Sequence, residues 1–188
     1  TMAFESSLPA FTRQNLGDPN GFGILMTAVG CGAALGSLYI GGVRSTLVRG
    51  RMFLVMGLLS GLGQVALAFA PNIAVAWVAA LVMGWTQAAF MTLGQAVTQS
   101  LAEDRFRGRI ASINTMSFMG LMALMNLSNG YFVDHVGAVW VLSVNGTIFV
   151  GIMLLSFLAA TPRRVYISGI PAEAHAHLAW IIGTQGRF

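Results

Sequence analysis

Residues 52–98 read MFLVMGLLSGLGQVALAFA-PN-IAVAWVAALVMGWTQAAFMTLGQAVT. Two long apolar runs, 52–70 and 73–98, are separated only by Pro71-Asn72, and neither run holds a charged residue. A helix needs about 20 mostly apolar residues to cross a hydrocarbon core of about 30 Å. The runs are continuously apolar rather than alternating, which predicts helices and not the strands of a barrel. Pro71 cannot continue a helix, so the pair reads as a tight hairpin between two membrane spans.

The same pattern extends outward in both directions. Stretches 21–43, 110–133 and 138–160 also have the length and polarity of spans. Residues 1–12 read as the last turns of a sixth helix, and the chain opens inside an apolar stretch with no charged leader. The expected fold is all-α: a polytopic membrane helix bundle over 1–162, with about five full transmembrane helices plus the end of a sixth. A cytoplasmic tail follows over 163–188.

Composition agrees. Of 188 residues, 56% are hydrophobic and 9% charged, against about 25% charged in soluble domains. So few charges cannot cover a soluble surface, which leaves the lipid bilayer as the solvent. Glycine, at 23 residues, is common in membrane helices that pack closely. Cys31 is the single cysteine, which excludes a disulfide framework and a cysteine metal site within the chain. No cofactor is expected.

The net charge of +4 comes from arginine alone, since the chain has no lysine. The arginines sit in short clusters between apolar runs, so they report topology and not nucleic acid. Arg44, Arg49 and Arg51 lie in the loop 44–51; Arg105, Arg107 and Arg109 lie in 102–109, beside Glu103 and Asp104; Arg163 and Arg164 follow the last span. The opposite side holds only Arg13. Positively charged loops stay cytoplasmic. The expectation is a multi-pass protein of the cell (inner) membrane with a cytoplasmic C-terminus. The turn 134–137 carries Asp134 and Gly137, which suit a tight turn.

Polar residues inside the spans are the functional candidates. Gly84, Gln87, Met91, Gln95, Thr98 and Gln99 recur at spacings that share one helix face. Thr115, Met119, Met122, Asn126 and Asn129 do the same in the next span. Buried amides in lipid require partners. These stripes therefore line a cavity for an amphipathic solute, or they hydrogen-bond to one another. Glu5 is the one carboxylate within the apolar segments, a candidate for proton coupling or cation contact, or else an interfacial group. Gly32 with Gly36 and Gly57 with Gly61 form small-xxx-small pairs, suited to close helix contact. No span contains a histidine pair, a metal-ligand cluster or a Ser/His dyad, so enzyme readings find no chemistry.

Residues 93–146, LGQAVTQSLAEDRFRGRIASINTMSFMGLMALMNLSNGYFVDHVGAVWVLSVNG, resemble helices 10 to 12 of major facilitator superfamily exporters of the siderophore and drug exporter group. The resemblance rests on Gln99, Arg107-Gly108-Arg109-Ile110, Ser112, Gly120, Asn126, Gly130, Asp134 and Gly137 in that order. Ala102 stands where the group commonly has proline. Leu8-Pro9, Phe11, Leu16-Gly17 and Gly23 are similar to the end of helix 7 and the start of helix 8. Arg49-Gly50-Arg51 occupies the second cytoplasmic signature but lacks its acidic residue, which weakens a charge-relay gate there.

The resemblance implies the C-terminal half of a twelve-helix transporter whose partner is a missing N-terminal six-helix half. The solute site would lie between two rocking halves, with helices 7, 8, 10 and 11 around it. Proton-driven export of a small-molecule solute, such as a drug or siderophore, is the implied activity. Arg49, Arg51, Arg107, Gly108 and Arg109 would belong to cytoplasmic loops, as gating contacts or as positive-inside anchors. The competing reading is a small membrane scaffold with the same bundle and no transport.

Overall fold

The computed structural model describes residues 4–17, 20–42, 46–101 and 105–158, with the side chains of 46, 47, 100, 101 and 107 excepted. Arg44, Ala102, Glu103, Asp104, Arg163, Arg164 and the tail 163–188 lie outside the described residues. The elements are α1 (Leu8–Asn15), α2 (Gly21–Gly42), α3 (Thr46–Ala68), α4 (Ile73–Leu101), α5 (Arg107–Val136) and α6 (Ala138–Leu158). Five of them, α2 to α6, are long and apolar enough to cross a membrane. No strand occurs among the described residues.

The helix boundaries follow from local chemistry. Pro71 stops α3's continuation, and Asn72 then caps α4, its Oδ1 accepting from the Val75 amide at 2.9 Å. At the far end of α5, Gly137 adopts φ +87° and its amide donates to the Val133 carbonyl at 3.0 Å. Only that one residue makes the turn into α6. The turn expected over 134–137 is therefore shorter than the sequence suggested. Asp134 and His135 belong to the last turn of α5, where His135 Nδ1 lies 2.8 Å from the Tyr131 carbonyl. The first segment also differs: a short turn at Phe4–Ser7 precedes α1, which begins at Leu8 with Pro9 in its first turn, where a missing N–H costs nothing.

The arginine clusters require a second correction. Arg49, Arg51 and Arg109, expected in loops, are helical: α3 starts at Thr46 and α5 at Arg107. Arginine is a good helix former. Its long stem can also run along apolar surface while the guanidinium reaches the interface. The helices thus extend through their charged ends. Arg51 and Arg109 are exposed and Arg49 half-buried.

Packing is tight on one side of the bundle and sparse on the other. α2 lies against α4, and α3 against both α4 and α6. At Gly32, Gly36 and Gly84 a Cβ would strike the backbone carbonyls of Leu81, Trp85 and Val29 respectively. The α2 and α4 backbones are therefore in direct contact, as small residues permit. Gly61 and Gly146 meet in the same way between α3 and α6. The main apolar core gathers Phe4, Leu8, Phe11, Leu25, Leu67, Met83 and Leu142. α5 stands apart. It touches α6 and α4 sparsely, and residues 111–121 are exposed without interruption.

Candidate functional site

Most hydroxyls in the bundle satisfy themselves. Thr86, Thr92, Thr98, Ser143 and Thr147 each donate to a backbone carbonyl one turn earlier, at 2.7–3.0 Å for the four-residue bonds. A glutamine or asparagine amide presents two donors and an acceptor, which such a local bond cannot exhaust. The amides therefore decide where the polar interior lies.

Two adjoining cavities open along the loosely packed side. The inner one, about 250 Å³, is walled by Gln64 of α3, Gln87 and Met91 of α4, Met122 of α5 and Phe149 of α6, with Phe4 at one side. The second, about 530 Å³, lies between α4 and α5 and is lined by Gln95, Thr98, Asn114, Thr115 and Met119. Phe90, Met91 and Phe118 line both. Phe90 stacks on Phe53 at 4.4 Å between ring centres and meets Phe149 edge-on at 5.6 Å. Such aromatic contacts contribute about 0.5–1.5 kcal/mol each beyond burial. They fix the wall that the two cavities share.

Gln64 is fully buried, and neither Nε2 nor Oε1 has a hydrogen-bond partner in the protein. Gln87 is 5% exposed and its Nε2 is likewise unpartnered. Asn126 of α5 has an unpartnered Oδ1. By contrast, Asn145 Nδ2 donates to Asn129 Oδ1 at 2.9 Å, a polar tie between α6 and α5. Met125, Asn129 and Asn145 line the inner cavity and also an outer groove between α5 and α6.

The candidates read from the sequence fall into groups. Gln87, Met91 and Met122 line the inner cavity. Met91, Gln95, Thr115 and Met119 line the second. Gln95, Thr115 and Gln99 also border a small recess with Asn114. Asn126 lies on α5, half-buried, outside the described linings. Gly84 sits on the α4 stripe but meets α2. Glu5 is exposed just ahead of α1 and lines none of these cavities. The arginine ends of α3 and α5 also lie apart from the linings. Gln64 and Asn145 were missed. Each is a lone amide in an otherwise apolar run, without the repeated spacing that marks a stripe; its isolation in that run was the available signal.

Among the described residues no cluster of three or more His, Cys, Asp or Glu side chains could hold a metal ion. The site offers amides, thioethers and aromatic rings. It can bind by dipole, dispersion and stacking.

With this geometry in view, the comparison with known proteins is decisive. A sequence model of the Major Facilitator Superfamily matches residues 1–185. The chain belongs to the Major Facilitator Superfamily. It is a multi-pass membrane protein. It is 25% identical over 188 residues to "Putative metabolite transport protein YwtG" of Bacillus subtilis (strain 168). That match covers 98% of this chain and 38% of the relative, so the chain spans well under half the relative's length. No solved structure matches the chain.

Proposed function

We propose that the chain is the C-terminal six-helix half of a secondary transporter that exports amphipathic small molecules of the drug or siderophore class in exchange for protons. The observation that carries this reading is the meeting of polar and methionine side chains from α4 and α5 across a cavity floored by Phe90. Flexible thioethers accommodate varied apolar shapes, and amides orient the polar end of a solute. The relative named for metabolite transport is in keeping with this class.

The loose docking of α5 supports a missing half. A span exposed all round from 111 to 121 suits a helix that borders an aqueous path and a second bundle. Rocking of the halves would then open the cavity to each side in turn. The arginine-bearing ends of α3 and α5 lie cytoplasmic in this orientation. There Arg49, Arg51, Arg107, Gly108 and Arg109 anchor the helices or brace the closed cytoplasmic gate.

The test uses the complete gene product. Cells producing it should accumulate less N-phenyl-1-naphthylamine, an uncharged fluorescent amphiphile, and an uncoupler should restore accumulation. Unchanged accumulation of the dye would speak for a scaffold instead.

A further inference from the structure

We infer that Gln64 and Gln87 form a subsite for an uncharged solute that carries both a hydrogen-bond donor and an acceptor, such as a carboxamide, on an aromatic body. The inference rests on the transporter reading and specifies its substrate class.

Three observations lead there. First, Gln64 is fully buried, lines the inner cavity, and has both amide heteroatoms unpartnered. Gln87, from the neighbouring α4, lines the same cavity and holds a second unpartnered donor. A buried polar group without a partner is costly, and a solute in this cavity that answered it would recover that cost.

Second, the available groups are of both kinds: Nε2 donors from two residues and an Oε1 acceptor. A carboxylate accepts but leaves Oε1 facing negative charge. An amidinium donates but leaves two N–H groups facing positive charge. A carboxamide accepts through its oxygen and donates through its nitrogen, and so can answer both at once. Third, the rest of the wall is apolar: Phe90, Met91, Met122 and Phe149. No charged side chain among the described residues lines the cavity. An ion entering it would lose its hydration for dipoles and thioethers only, whereas an aromatic ring gains stacking and dispersion.

The experiment compares three solutes of one shape and three charges: 2-naphthoate, 2-naphthamide and 2-naphthamidinium. Saturable binding to the full-length protein in nanodiscs is measured against empty nanodiscs. The amide should bind at least about tenfold more tightly than either ion, as expected for one well-formed additional hydrogen bond. Gln64→Leu should weaken the amide by about as much while the protein elutes and melts as a folded species, and Gln87→Leu should weaken it in the same direction. Gln64→Glu should shift preference toward the amidinium.

Equal or tighter binding of an ion by the wild type would overturn the inference. So would an amide affinity unmoved by Gln64→Leu, or saturable binding of none of the three. Dye extrusion measured in cells producing the same full-length protein separates the two levels. Extrusion without amide selectivity sinks this inference alone. Loss of both sinks the transporter reading as well.

Discussion

Gln64 sits fully buried among apolar helices with its amide unanswered by the protein. Removing such a group lifts a desolvation cost of about 1–3 kcal/mol. Gln64→Leu, close in volume, should therefore raise the unfolding midpoint of the purified protein, even as it weakens solute binding. A lowered midpoint would mean that Gln64 holds the bundle together. Asn129 and Asn145 behave oppositely, because each answers the other at 2.9 Å. A double-mutant cycle with alanine at both positions should give a coupling of about 0.6 kcal/mol, and at most about 1.7, the range for hydrogen bonds between membrane helices. Coupling indistinguishable from zero would show that the bond does not tie α5 to α6. The two cases also show what is legible at this scale. Gln87 and Asn129 fell on stripes with helical spacing, so the sequence placed them on interior faces. Gln64 and Asn145 stand alone in their runs, and only the meeting of four helices at the inner cavity gives them neighbours.

Between elements, the strongest constraint is the contact of α2 with α4. Gly32, Gly36 and Gly84 leave no room for a Cβ against the opposing carbonyls. Gly32→Val should destabilise by about 1–3 kcal/mol, the usual cost of overpacking, or more, because the obstacle is backbone. Gly30→Val, on the same helix with open space around it, is the control and should cost less. Equal losses of thermal stability at the two positions would contradict the packing described. The five spans were readable because apolar length alone defines them. Helix ends were read less well. Arg49, Arg51 and Arg109 looked like loop residues because charge was taken to end a span, yet the helices continue through them. The stretch Asp134-His135-Val136-Gly137 looked like a turn by composition, but only Gly137 has the positive φ that breaks the helix. At the start of α5, Arg109→Lys preserves positive charge but not a planar fork. Dye extrusion that survives the change assigns Arg109 to anchoring; a loss of most activity assigns it a specific gate contact.

The described bundle is asymmetric: α2, α3, α4 and α6 pack closely, while α5 is sparsely packed beside the two cavities. Span length did not reveal that asymmetry, since α5 is long enough to cross a membrane like its neighbours, although it is the least apolar of the five spans. What its sequence does show is the stripe Thr115, Met119 and Met122, which borders the cavities. If those cavities form a solute path, a position midway along α5 must meet water from each side of the membrane in turn. Met122, in the wall of the inner cavity, is that position. Leu155, an exposed apolar residue of α6 that lines none of the cavities described, is the lipid-facing reference. The most direct measurement replaces the exposed native thiol by Cys31→Ser and introduces Met122→Cys or Leu155→Cys into the full-length protein. Each variant is then treated with a charged, membrane-impermeant maleimide in right-side-out and in inverted vesicles. Alternating access predicts labelling of the Met122→Cys protein from both sides and of the Leu155→Cys protein from neither. Labelling of Met122→Cys from one side only, or from none, would contradict it.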